Sequence, residues 1–338
     1  MKYIMHTSCV ALLLFATSAL AINLDDGTRA RDVITDQTKK MFNDKEFAKL
    51  DAMADKFRTS KSRFTDGGWK LRAFYNGFNL NNRHPEWVFS KYIAFAEEWR
   101  RINPTSVTAQ VVLAKAWLSY AWKERGGGYA SEVKEDAWPL VHKRLDTAWK
   151  IINERPAPRV ADCPERHCQR LTLARARGIE KKQFESLFKD AVRQEPGYYP
   201  NYSSKAEYLL PKWHGNEGEW QRYIIEVADK NPGGIGATIY TRVVWIMSDE
   251  WKSFKGEGVS WDRMKAGFME IDRNYHNSPL ILNTFARFAC LAGDRKTLKA
   301  LFKRIDSDHF DADAWGKIRV DDCRSLAGLP TLDKQITK

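Results

Sequence analysis

The chain has 338 residues with a formal charge of +12 at neutral pH, 43% of them hydrophobic and 29% charged. Such a length is ample for one continuous core, and such a charge favours anionic partners: nucleic acid, lipid headgroups, acidic glycans or an acidic protein. The basic residues are nevertheless scattered singly among acids, as from Asp190 to Glu195, with no arginine-rich run, helix-turn-helix or RNA-binding signature, so a nucleic-acid partner is excluded in favour of a solvated basic surface.

Lys2 opens a short positive region, residues 10–15 (VALLLF) begin an apolar run too short to span a bilayer, and Ser18-Ala19-Leu20-Ala21 places small residues where a signal peptidase reads. Residues 1–21 are expected to be a cleaved signal peptide, with export to the periplasm or beyond. Ile22 and not cysteine follows the cut, which argues against lipid anchoring, and no later segment resembles a transmembrane span. Residues 22–40 read as a polar lead of mixed acids and bases, residues 41–325 as a single helical repeat domain, and residues 326–338 as a tail.

Within that domain, Ser106 follows Pro104 and is placed to cap a helix carrying Val112, Leu113, Ala116, Trp117 and Tyr120. Arg125 then precedes Gly126-Gly127-Gly128, a turn that brings one guanidinium and free backbone together, an arrangement suited to an anion. Residues 171–178 form a short helix ending in glycine, followed by Phe184, Leu187, Phe188 and Ala191 at the spacing of one helix face. The same figure returns at residues 283–293, where Asp294 caps a helix bearing Leu298, Leu301, Phe302 and Ile305. Two copies of helix, glycine turn and helix are an internal repeat.

Between the copies lie residues 195–215 (EPGYYPNYSSKAEYLLPKWHG), rich in aromatics and prolines. Pro196 and Pro200 interrupt helix, and a cap at Ser203 or Ser204 would start a helix through Leu210 on which Lys205 and Tyr208 share a side. Tyr199, Tyr202, Lys205, Glu207, Tyr208, Trp213 and His214, with Arg125, are the candidate binding residues: aromatics supply contact area while a few polar groups fix orientation. The bland alternative is that they pack against the next repeat and satisfy carbonyls with their polar tips.

Further along, Asn216 with Glu219 resembles a capping box, residues 238–246 (TIYTRVVWI) read as a buried helix despite their β-rich composition, and residues 261–271 as an amphipathic one. Asp306, Asp308, Asp311 and Asp313 have a calcium-like spacing, but Phe310 and Asp311 fall where a ligand and a glycine belong, so Asp311 is taken as a cap before Trp315. Cys163, Cys168, Cys290 and Cys323 follow the leader, and local spacing favours disulfides Cys163 with Cys168 and Cys290 with Cys323. No cofactor or metal is implied, since the His167–Cys168 pair does not match a common zinc spacing. His-Glu-x-x-His, Gly-x-Ser-x-Gly and phosphate-loop signatures are absent, which leaves no catalytic residue assigned.

Stacked helix pairs that cannot bury their faces alone give an all-α, tetratricopeptide-like solenoid. Trp122 to Gly128, Tyr198 to Gly215 and Phe288 to Asp294 together resemble the bacterial family catalogued as domain of unknown function 4034, over residues 47–323. That resemblance implies an exported helical repeat protein and carries no activity. The functional expectation is binding of a protein, peptide or glycan on the concave surface. Its rivals are a hydrolase of an envelope polymer, with Glu207 and His214 as acid–base groups, and an inhibitory, immunity-type partner protein.

Overall fold

A computed structural model describes residues 26–128, 130–154, 163–231, 234–248 and 253–331; the expected signal peptide lies outside them. The first half holds α1 (Gly27–Asn43), α2 (Phe47–Ser60), α3 (Lys70–Asn76), α4 (Glu86–Ile102), α5 (Val107–Arg125), α6 (Trp138–Asn153) and α7 (Pro164–Ala176). The second holds α8 (Lys181–Gln194), α9 (Tyr199–Tyr208), α10 (Glu219–Lys230), α11 (Ile235–Met247), α12 (Trp261–Asn274), α13 (Pro279–Leu291), α14 (Arg295–Phe302) and α15 (Val320–Leu326). Among the described residues there is no strand beyond one isolated bridge, and no helix is long and apolar enough to cross a membrane.

Two kinds of helix alternate. The even-numbered α8, α10, α12 and α14 bury one stripe each, such as Phe184, Leu187, Phe188 and Ala191 on α8 or Met264, Gly267, Phe268 and Ile271 on α12. Their other faces are charged, as outer helices require. The odd-numbered α5, α7, α9, α11 and α13 are buried on most sides; α5 buries every residue from Val107 to Ala116, so its apolar positions show no helical stripe. Neighbouring inner helices pack on one another and on the outer ones, forming an all-α solenoid of two layers.

The expected helix starts are largely present. Side chains of Ser106, Asp294 and Asp311 accept from backbone N–H groups of Ala109 (2.9 Å), Thr297 (3.0 Å) and Ala314 (3.2 Å). The turns after α7 and α13 close on Gly178 and Gly293 with φ near +70°, a conformation that costs glycine nothing. Residues 238–246 fall inside the buried helix α11.

Three expectations are corrected. Residues 27–40 are not a lead but most of α1; its buried face is made of Gly27, Ala30 and Thr38 before Met41 and Phe42, small and polar groups that leave little apolar signal. Cys163 and Cys168 are not bonded: Pro164 starts α7 there, and five helical positions turn two side chains about 140° apart. Cys163 faces the Tyr75 hydroxyl and Cys168 the Ser204 hydroxyl, while Cys290 and Cys323 do form a disulfide joining α13 to α15. Finally, α9 begins at Tyr199 with Pro200 in its first turn, where a missing N–H is harmless, so Ser203 and Ser204 lie inside the helix.

The N-terminal segment closes the curve of the array. Asp26 Oδ1 accepts from the Leu280 N–H at the start of α13 (3.1 Å), and Arg242 of α11 donates to the Asp66 carbonyl (2.6 Å). Trp69 Nε1 donates to the Gly197 carbonyl before α9 (3.2 Å), and Lys61 pairs with Glu195 (2.7 Å). These contacts bring α1 and α3 against the inner helices of the second half, where an open solenoid would expose a broad groove.

Candidate functional site

The inner helices surround a central chamber of about 460 Å³. Beneath its wall sits Glu165, in the first turn of α7 and fully buried. Its carboxylate accepts from Arg72 Nη1 of α3 (2.5 Å), the Tyr198 hydroxyl (2.5 Å) and Gln169 Nε2 (3.1 Å). Desolvation works against the charge on Arg72, but Glu165, together with Cys168, Tyr198 and Tyr199, outweighs it and the guanidinium is held above its ordinary value.

Further cations come from three other helices. Arg31 of α1 donates two 2.7 Å bonds to Asp66, which is fully buried, a fork-to-fork pair. Arg175 of α7 pairs with Glu207 of α9, and its buried Nε has no partner. Burial lowers its guanidinium to about 10. Lys115 of α5 lines the same chamber at 6% exposure, and desolvation pushes its ammonium down to about 8. It makes no hydrogen bond or ion pair with any described residue.

Trp122 lines both this chamber and a second cavity of about 600 Å³. Here Trp122 and Trp213 meet edge to face with ring centres 5.8 Å apart, and Trp138, Arg125, Glu132 and His214 complete the wall. Arg125 donates to the Gly128 carbonyl (3.0 Å) and lies 5.0 Å from the Trp122 ring and 5.9 Å from that of Trp213. Gly215 makes the sharp return after α9 possible: a Cβ there would fall 2.0 Å from the Leu209 carbonyl oxygen. A third cavity of about 280 Å³ adjoins the central chamber on its other side, sharing Arg31, Tyr199 and Ile246 with it. Arg242 stacks over Tyr199 there at 5.1 Å.

The expected binding residues divide by helix face. Tyr199 and Glu207 line the central chamber, and Arg125, Trp213 and His214 line the aromatic one. Tyr202, Lys205 and Tyr208 do not join them. Lys205 and Tyr208 share a side as expected, but that side meets the outer helices. Lys205 pairs with Glu185 (2.7 Å) between the rings of Phe188 and Tyr223, and Tyr208 stacks on Phe184 at 3.8 Å while donating to the Ile179 carbonyl. Tyr202 donates to the Pro196 carbonyl (3.0 Å). For these three, the packing alternative holds.

Lys115, Arg72, Arg175 and Glu165 were not singled out by sequence. Lys115 alone carried a readable signal, one lysine inside the apolar run of residues 111–118. Glu207 and His214 line different cavities, Glu207 is tied to Arg175, and His214 Nε2 lies 2.9 Å from the Arg175 carbonyl. Among the described residues no three His, Cys, Asp or Glu side chains gather to hold a metal ion. No protein-family model, no curated protein and no solved structure matches the chain.

Proposed function

We propose that this is an exported binding protein that takes an oligosaccharide along its inner face. The observation that carries the reading is the continuity of three cavities through shared residues, Trp122 on one side of the central chamber and Tyr199 on the other. Each lies within or near the range of small-ligand sites, and the aromatic one offers ring-sized apolar walls with Arg125, Glu132 and His214 at their edges. Rings on such walls gain contact area, and hydroxyls gain partners at the rim. Export rests on the leader-like residues 1–21 and on the Cys290–Cys323 bond, which suits an oxidising compartment. The resemblance to domain of unknown function 4034 points the same way. The hydrolase reading is less well supported, because its two groups do not face one chamber.

Titration with envelope-derived oligosaccharides, followed by tryptophan fluorescence and calorimetry, tests the reading. Saturable binding that Trp213→Ala and Trp138→Ala weaken at least tenfold is expected. Binding of extended peptides with no response to any oligosaccharide would overturn it.

A further inference from the structure

The central chamber carries an unmatched charge. Four cations reach it, Arg31, Arg72, Lys115 and Arg175, from four different helices. Three of them are paired with carboxylates, Arg31 with Asp66, Arg72 with Glu165 and Arg175 with Glu207. The fourth, Lys115, is more than nine-tenths buried and has no hydrogen-bond or ion-pair partner among the described residues. Burying an ammonium without a partner is costly, and the cost is relieved when an anion enters.

Two other residues lining the chamber hold polar atoms without partners as well. The Arg175 Nε and the Gln169 Oε1 are both buried and unbonded, and both residues line the same space. The first can donate to an anionic oxygen, and the second can accept from a hydroxyl beside it. Ser203 and Ser204 add hydroxyls from α9, and Ser119 another from α5. A low-dielectric wall makes each of these contacts stronger than it would be in water.

We infer that Lys115 is the anion-binding centre of this chamber, receiving a carboxylate or phosphate carried by the ligand, with Arg175 as its second donor. The proposal rests on the binding role given to the inner face and adds the ligand's chemical class: an acidic saccharide and not a neutral one. The aromatic cavity would then hold a ring while Lys115 holds the acid of its neighbour.

Inorganic phosphate and glucuronate, each titrated against the full protein and against Lys115→Met, Lys115→Gln and the exposed-surface control Lys182→Met, test this independently of any oligosaccharide. Calorimetry gives affinity, and the Lys115 side-chain NMR signal in selectively labelled protein reports contact. Saturable binding of at least one probe that shifts the Lys115 signal, falls at least tenfold in both Lys115 variants and persists in the exposed outer-helix control Lys182→Met is expected. The tighter probe identifies the group as phosphate or carboxylate. Binding by folded Lys115→Met as tight as wild type, or a Lys115 signal unmoved by both probes, would overturn the proposal. Phosphate held at Lys115 in a protein that ignores oligosaccharides would instead sustain the anion site and refute the saccharide reading.

Discussion

Arg175 touches Trp213 across the boundary between the two larger cavities: its guanidinium carbon lies 5.1 Å from the indole ring centre while the same group pairs with Glu207 in the central chamber. The Arg175 carbonyl accepts a bond from His214 Nε2 (2.9 Å), which places the imidazole proton on that nitrogen. One residue therefore fixes three of the groups that face the cavities. Arg175→Met removes the charge that holds Glu207 and the cation on the indole face. Trp213 should become easier to quench with acrylamide, and oligosaccharide affinity should fall about tenfold, worth about 1.4 kcal/mol. Unchanged quenching would show that Trp213 is held by its other neighbours.

Lys115 makes a prediction about stability that has the opposite sign to most core changes. An unfolded lysine keeps its proton up to 10.5, whereas in the fold burial brings release down to about 8. Between those values the unfolded chain binds more protons, so stability rises with pH; below the lower one the penalty is fully present, on the order of 3 kcal/mol. Lys115→Met should therefore raise the urea midpoint at pH 7, and the difference between variant and wild type should shrink as pH climbs towards 10.5. A difference that stays constant with pH would mean that desolvation is not what Lys115 endures. A residue that weakens the fold while lining a cavity is what the anion site requires, since stability given up at one buried position is commonly tied to function.

Glu165 supports the opposite wall. Glu165→Ala removes the carboxylate from Arg72 and the Tyr198 hydroxyl; Glu165 is fully buried but the Arg72 side chain is 36% exposed, so the loss should fall at the lower end of the roughly 3–5 kcal/mol that breaking a buried pair costs. Tyr198→Phe removes only one charge-assisted bond to the same carboxylate and should cost less, about 1.5–3 kcal/mol. Denaturant unfolding that ranked the two changes the other way round would place the weight on the Tyr198 to Trp69 ring contact, where the centres are 5.0 Å apart.

The outer layer was readable because its chemistry is one-sided: α8 and α14 show the stripe of Phe184, Leu187, Phe188 and Ala191 or Leu298, Leu301 and Phe302 directly. The inner layer was harder, since a helix packed on most sides loses its period, and α1 hides its buried face behind glycine, alanine and threonine. The segment of residues 195–215 stands out in sequence by its prolines and aromatics. Its helix start was displaced by four or five residues, because Pro200 fits a first helical turn and does not break it. Tyr199 and Glu207 lie on the inward side of α9, while Lys205 and Tyr208 meet the outer helices. The cations of the central chamber come from α1, α3, α5 and α7, separated by up to 144 positions between Arg31 and Arg175, and the packing of α1 on α3 and of α3 and α5 on α7 brings them together.

The cysteines provide the last test. Cys163 and Cys168 are both buried, and burial pushes the Cys168 thiol up, with the neighbouring Glu165 adding to the rise, so little reactive thiolate forms. Iodoacetamide should modify neither in the folded protein and both once it is unfolded without reductant. Peptide mass spectrometry should recover Cys290 and Cys323 as one cross-linked pair. Reducing that bond opens a loop set by a sequence separation of 33 and should cost about 3 to 4 kcal/mol of unfolding free energy on the chain-entropy account. Recovery of a Cys163–Cys168 cross-link from folded protein would mean that the first turn of α7 unwinds, since an intact helix keeps those side chains on different sides. That turn also carries Glu165, so such a bond would disturb the wall of the central chamber together with the helix start.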